Sequence, residues 1–440
     1  MRQNASILVG LLWCLALLSV MAVGVLHTAR MDAIVGKNFG DRIQAHYLAL
    51  AGVEKARALL YKNAHDRSST RKSHDGTLYN DDTDFRDITF GRGVYRVFHR
   101  QDPAEGGGIL YGISDEESRL NLNKATTDEI NLLDGMTPAV ASAIDGWRGG
   151  NTLSTGAAEG DYYGALKPPS RPRGGPFLTV RELLMVRGID PEQVYGRDMH
   201  QNDLLQTGNK GGEFAVPSVT DPKDLGWAGI LTVDSSVKNV NAAGDDRVNV
   251  QNADEQSLTA LNGITPQIAH AIVTYRGQNQ FKGIADLLDV TPALNGGGPG
   301  GNGPGQSSGP SVISDQLFTD IADDVTVVTD SSLGGAINLN TASQAVLLCL
   351  PGVSRELARA IISQRQSNGY FNSLGDLLKV DGMTHDILKQ IAPLVTTRSE
   401  TFRILSEGQV TSTGVRQRIQ AIVHVGLSDL QTLSWREDDL

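Results

Sequence analysis

The 440-residue sequence predicts an α+β protein in which a long N-terminal helix and an antiparallel sheet are interrupted by an inserted set of helical repeats. Three observations carry this prediction. Stretches beginning at Leu120, Val248 and Ile337 align without a gap (LNLNKATTDEINLLDGMTPAVASAIDGWR, VNVQNADEQSLTALNGITPQIAHAIVTYR and INLNTASQAVLLCLPGVSRELARAIISQR), and an internal repeat of this kind defines the supersecondary unit. An uncharged apolar run extends from Ile7 to Leu26. Alternating strand candidates lie on both sides of the repeats.

The apolar run is about the length needed to cross a bilayer as one helix. A secretory signal would have a shorter apolar core and a small-residue cleavage site, which the residues after His27 do not offer, so a single-pass anchor is expected. Apolar residues then continue at helical intervals through Ile34, Val35, Ile43, Tyr47, Leu48, Ala51, Val53, Ala56, Leu59 and Leu60, which predicts an amphipathic stem. Strands are expected at Gly93–His99 and Ile109–Ile113, separated by the turn at Gly106 to Gly108. A second pair is expected at Thr401–Val410 and Arg418–Val425, and the two pairs would join one sheet packed on the stem. Gly149 to Gly175 reads as a surface loop, and Gly296 to Gly309 as a low-complexity linker.

Each repeat reads as helix, tight hairpin, helix. Gly135, Gly263 and Gly352 occupy the hairpins, where a residue ending a helix often needs positive φ. Thr137, Thr265 and Ser354 follow two residues later and can cap the second helix. Ala141, Ala269 and Ala358 let the helices approach, with Ile144, Ile272 and Ile361 beneath them. A downstream signature of Phe, Leu-Leu and Val recurs at Phe177, Phe281 and Phe371, so a third helix is expected to close each small core.

This pattern resembles the helix-hairpin-helix family, which is known for gripping nucleic-acid backbone through hairpin amides. Charge argues against that use here. The formal net charge is −11, whereas phosphate affinity rests mainly on Lys and Arg releasing counterions. Thr or Ser also stands where DNA-binding members carry a second glycine. Arg148, Arg276 and Arg365 read as surface residues complementing helix dipoles. Nucleic acid is therefore disfavoured as a partner, and the runner-up function is a membrane-anchored DNA receptor using the hairpins.

The polar leader ending at Asn4-Ala5, the apolar helix from Ser6, and Leu50-Ala51-Gly52-Val53-Glu54-Lys55-Ala56 resemble the type IV pilin-like proteins. That resemblance implies cleavage between Ala5 and Ser6 by a prepilin peptidase. Gly10 then occupies the position at which most pilins carry a glutamate. A carboxylate inside a bilayer is costly without a partner, so a subunit lacking it suits the end of a filament. The whole is similar to the K-type minor pseudopilins of the type II secretion system, as are Leu231-Thr232-Val233 with Asn239-Val240-Asn241 and Ile337 to Ala342. A third repeat departs from the two units expected in that family.

The resemblance implies a non-catalytic subunit that caps a pseudopilus tip and helps initiate its assembly. Its partners would be the major and other minor pseudopilins, the prepilin peptidase and the inner membrane, with the exported substrate or the outer-membrane secretin as further contacts. The body would lie in the periplasm. The expected organisation is leader 1–5, membrane segment 6–30, stem and first strands 31–118, first unit 119–200, strand linker and second unit 201–295, flexible linker 296–312, third unit 313–397 and final strands 398–440. No zinc motif, phosphate loop or nucleophile elbow is present. Asp81, Asp82 and Asp84, and Asp320, Asp323 and Asp324, read as solvated acidic surface. Family members bind calcium, which leaves that cofactor open with no ligand assigned. Cys14 and Cys349 lie too far apart in character, one in the membrane segment and one on a repeat helix, to form a disulfide.

Overall fold

The computed structural model describes residues 3–70, 76–150, 162–198, 200–201, 226–292, 310–426 and 429–437. The stretch from Gly296 to Gly309 and residues 151–161 of the expected surface loop lie outside them. One helix, Gln3–Thr70, forms both anchor and stem. Its portion from Ile7 is long and apolar enough to cross a membrane, and every large apolar side chain from Ile7 to Leu26 is exposed.

Six strands build the sheet: β1 Ile88–Phe90, β2 Gly93–Val97, β3 Ser114–Asp115, β4 Thr401–Val410, β5 Arg416–Val425 and β6 Leu430–Arg436. The order is β1-β2-β4-β5-β6, all antiparallel, with β3 also pairing with β4. Strands flanking the repeats do meet, Val97 opposite Ser406 and Gly93 opposite Val410. The residues Ile109–Leu110 do not join this sheet. They pair with His99–Arg100 in a small ribbon, because positive φ at Gly106, Gly107 and Gly108 folds the chain back on itself there.

The stem face against the sheet is built from small residues. Ala45, Leu48, Ala49, Val53, Ala56, Leu60 and Ala64 are buried at helical spacing, whereas Ile34, Val35, Ile43 and Tyr47 are exposed. The reason is distance. A Cβ at Gly408 would lie 2.1 Å from the Ala45 carbonyl oxygen, and one at Gly52 would lie 2.2 Å from Ser406 Oγ. Backbone meets backbone, so bulky residues are turned outward. Phe402, Ile404, Ile419, Ala421 and Val423 complete that core by strict alternation.

The repeats form a second, larger core. Each unit contains two short helices and a hairpin, then a 3-10 helix and one further helix. The expected third helix is thus a 3-10 turn, Val180–Met185, Ile284–Asp289 or Leu374–Lys379, followed by Pro191–Tyr195, Asp315–Ile321 or His385–Ile391. Each unit is closed by two-residue parallel strands: Leu120–Asn121 with Leu231–Thr232, Val248–Asn249 with Val325–Thr326, and Ile337–Asn338 with Val395–Thr396. Residues 313–326, which the sequence groups with the third unit, therefore pair with the second. Similarly Leu231–Thr232 closes the first unit and is not a linker. Backbone pairing across long connections is invisible to local periodicity.

Gly408→Val should lever the stem from the sheet and destabilise the chain by about 1–3 kcal/mol. Urea unfolding followed by circular dichroism measures this, with Gly175→Val, where φ is not positive and nothing lies within 4 Å of an added Cβ, as the reference for the substitution without the close contact.

Candidate assembly site

Two arrangements can serve assembly: the buried polar junction that orients the repeats, and the uncovered face of the stem. Within the repeats, the hairpin glycines Gly135, Gly263 and Gly352 adopt φ of 74°, 81° and 75°. Thr137, Thr265 and Ser354 cap the following helices by accepting from the amides of Val140, Ile268 and Leu357 at 3.3, 3.3 and 3.2 Å.

The repeated arginines are not surface dipole partners. Arg148 Nη1 donates to the Leu122 and Ala125 carbonyls at 2.6 and 2.7 Å, Arg276 Nη1 to the Val250 carbonyl at 2.9 Å, and Arg365 Nη1 to the Leu339 carbonyl at 2.7 Å. Each ties its second helix back to the strand end. Arg365 is only 5% exposed and also pairs with Glu105 at 2.9 Å. A side-chain amide makes the complementary clamp. The oxygens of Asn123, Gln251 and Asn340 accept from the amides of Phe177, Phe281 and Phe371 at 2.7, 3.0 and 2.8 Å. The signal for it was the Asn-x-Asn or Asn-x-Gln opening each copy, which carried no assigned role.

These bonds engage the repeated arginine and amide side chains within each unit. The first hairpin is further covered by Trp227, whose Nε1 donates to the Asp134 carbonyl at 3.0 Å, and a Cβ on Gly263 would lie 2.7 Å from Leu317 Cδ1. The acidic clusters are likewise engaged. Asp81 caps a helical turn, Asp82 pairs with Arg86 and Asp84 with Lys55, while Asp323 pairs with Arg247 and Arg398 and Asp324 accepts from Asn241. Asp320 accepts from Gln316. Among the described residues there is no cluster of His, Cys, Asp or Glu suited to a metal ion. Cys14 and Cys349 are free thiols, and burial pushes the Cys349 thiol up to about 12.

The junction was not anticipated. Asp115, Glu116 and Glu117 are buried where β3 leaves the sheet for the first repeat. Glu116 lies 2.6 Å from Arg403 Nε and accepts from the Thr232 hydroxyl. Burial pushes its pKa up, but Arg403 and Arg119 outweigh that and hold it below the ordinary carboxylate value. Asp115 accepts from Asn338 Nδ2 at 2.9 Å and from the Ser399 and Thr341 hydroxyls. Glu117 accepts from the amides of Ser236 and Thr401 at 3.1 Å. Burial, then the neighbouring Asp115 charge, pushes the Glu117 carboxyl well above its usual 4.5. Three consecutive residues thus bind the first repeat, the third repeat and β4.

On the stem, Val35, Phe39, Ile43 and Tyr47 are exposed and spaced four apart, which forms one ridge of the kind that packs into the groove of another helix. The ridge continues the apolar surface that starts at Ile7. Gly10 lies in that span with open space around it, and no Asp or Glu occurs before Asp32. Ala5 and Ser6 fall within the first turns of the helix.

The geometry defines a class: a protein in which one long helix, apolar at its start, packs on an antiparallel sheet and bears three helix-hairpin-helix units. Residues 123–196 match the family described as type II secretion system, protein K, and residues 244–292 and 334–396 match the helix-hairpin-helix motif. These matches bear out the resemblance to the K-type minor pseudopilins of the type II secretion system. Similar curated proteins include the endonuclease/exonuclease/phosphatase family domain-containing protein 1 of Rattus norvegicus and of Homo sapiens, each 28% identical over 186 residues, covering 39% of this chain and 31% of the relative. ComE operon protein 1 of Bacillus subtilis (strain 168) is 33% identical over 72 residues, covering 16% of this chain and 35% of that protein. The chain thus spans about a third of the length of the curated relatives it matches. A solved structure, the GspK-GspI-GspJ complex from the enterotoxigenic Escherichia coli type 2 secretion system, aligns over 93% of this chain and 99% of that one at 12% identity, with a TM-score of 0.42.

Glu116→Ala should destabilise by about 3–5 kcal/mol, because it leaves the largely covered Arg403 and the buried Arg119 without their partner. Glu117→Gln tests the raised carboxyl. A carboxyl whose folded pKa is raised contributes stability that is complete below its unfolded value near 4.5 and is lost as pH rises through the folded value. Chemical unfolding across that range should show the parent losing stability with rising pH and the Glu117→Gln variant losing less.

Proposed function

We propose that this chain is a non-catalytic subunit that caps the tip of a type II secretion pseudopilus and helps initiate its assembly. The observation that carries the reading is the stem. It offers a continuous apolar face from Ile7 to Tyr47 for packing beside other stems, yet has no acid in its first 31 residues to pair with the amino end of a subunit above. Cleavage between Ala5 and Ser6 by a prepilin peptidase would place Gly10 where that acid is usually found. Other minor pseudopilins and the major pseudopilin are the partners, the inner membrane holds the helix, and the body lies in the periplasm. The match of residues 123–196 to the protein K family supports those partners. The repeat body projects at the tip, where it can meet exported protein or the outer-membrane secretin.

Two measurements test this. After co-expression with a prepilin peptidase, the mature chain should begin at Ser6; retention of Met1 overturns the class. Phe39→Asp combined with Tyr47→Asp should sharply reduce co-purification with the partner pseudopilins while leaving the melting temperature unchanged, since both side chains point away from the subunit's own sheet. Undiminished assembly removes the ridge from the interface.

A further inference from the structure

The second and third repeats dock on each other through equivalent faces, and among the described residues nothing covers that face of the first repeat. The 3-10 helix Ile284–Asp289 of the second unit receives the last helix of the third: Asp289 pairs with Lys389 at 2.7 Å, and a Cβ on Gly283 would lie 3.1 Å from Pro393. The 3-10 helix Leu374–Lys379 of the third unit receives the last helix of the second. There Thr319 Oγ1 donates to the Gly375 carbonyl at 3.2 Å, and Ser373 Oγ to the Thr319 carbonyl at 3.3 Å. In two of three copies, the surface of this 3-10 helix is therefore a seat for a helix.

The first copy has the same backbone and different residues. Aligned on Phe177, Phe281 and Phe371, Leu178 stands where the sisters have Lys282 and Asn372, and Met185 where they have Asp289 and Lys379. Leu178 is 63% exposed and Met185 62%, with the exposed Leu184 beside them. The sisters' polar residues border contacts already made, whereas apolar residues in the first copy face solvent. Arg181 occupies the position of the buried Ala285 and Gly375, and it is exposed, as is Arg187. Residues 162–198 carry six Lys and Arg against four Asp and Glu, in a chain whose overall balance is acidic. Met and Arg are enriched in protein interfaces, and the unbranched Met side chain adapts to its contact.

We propose that the outer face of the 3-10 helix Val180–Met185 is a docking surface for an amphipathic helix of another polypeptide, one that places apolar residues on Leu178, Leu184 and Met185 and acidic residues beside Arg181 and Arg187. The sister repeats show that this 3-10 face receives a helix, and Arg181 sets the incoming helix further off, since even a Cβ on the equivalent Gly375 would lie 2.4 Å from Thr319 Cα. The basic rim supplies the charge preference. This surface is separate from the stem and stands whether or not the subunit caps a filament.

The test uses the full chain in lipid nanodiscs and a fluorescein-labelled amphipathic peptide helix with leucine on one face and glutamate on its flanks, read by fluorescence anisotropy. Saturable binding is expected, weakened about tenfold by Met185→Asp and by Arg181→Glu and unchanged by Leu433→Asp on the distant edge strand. Unchanged melting temperatures in the variants exclude misfolding. The proposal is overturned by equal binding of the same helix with lysine in place of glutamate, by binding of a short DNA duplex in its stead, or by no saturable binding. It is also overturned by concentration-dependent self-association that Met185→Asp abolishes, which would make a second copy the occupant, or by binding that emerges only after deletion of residues 202–225, which would make this chain its own ligand.

Discussion

The architecture turns on three consecutive acidic residues held out of water. A buried carboxylate is tolerated only when fully bonded or neutralised, so Asp115, Glu116 and Glu117 can be satisfied in one arrangement of their surroundings. Glu116 needs Arg403 from β4 and Thr232 from the end of the first repeat. Asp115 needs Asn338 from the third repeat and Ser399 from the approach to β4. Glu117 needs the amides of Ser236 and Thr401. Apolar contacts alone would permit the repeats to slide over the sheet. Directional bonds to buried charge set one orientation.

Within each repeat the same logic operates at smaller scale. Two-residue parallel strands are too short to hold a unit closed by themselves, so side chains reinforce them. The arginine at the end of the second helix reaches back to the strand carbonyl, and the Asn or Gln reaches forward to the Phe backbone. Both sets of donors and acceptors are consumed internally. That consumption gives the repeated Arg and Asn or Gln a structural role inside each unit.

The stem joins these levels to the membrane. Alanine and glycine on one face allow close approach to the sheet, and larger apolar residues are left on the opposite face. One helix thereby supports a fold on one side and presents an exposed apolar surface on the other. The periodicity of the sequence located the amphipathic stem, and of the residues that carried it Leu48, Val53, Ala56 and Leu60 are buried, whereas Ile43 and Tyr47 are exposed beside the buried Ala45 and Ala49. Close packing favours the small residue when the opposing surface is backbone.

Local chemistry made much of the protein legible. Positive φ at Gly135, Gly263 and Gly352, hydroxyl caps two residues later, the alternation in β4 and β5 and the apolar run from Ile7 all follow from interactions within a few residues, and sequence records such interactions directly. The joining of β2 to β4, the closure of the second unit by Val325–Thr326, the buried carboxylates and the mutual docking of two repeats were decided only in three dimensions. Each depends on which distant surface arrives, and a side chain such as Glu117 or Met185 reads the same in the sequence whether a partner meets it or not.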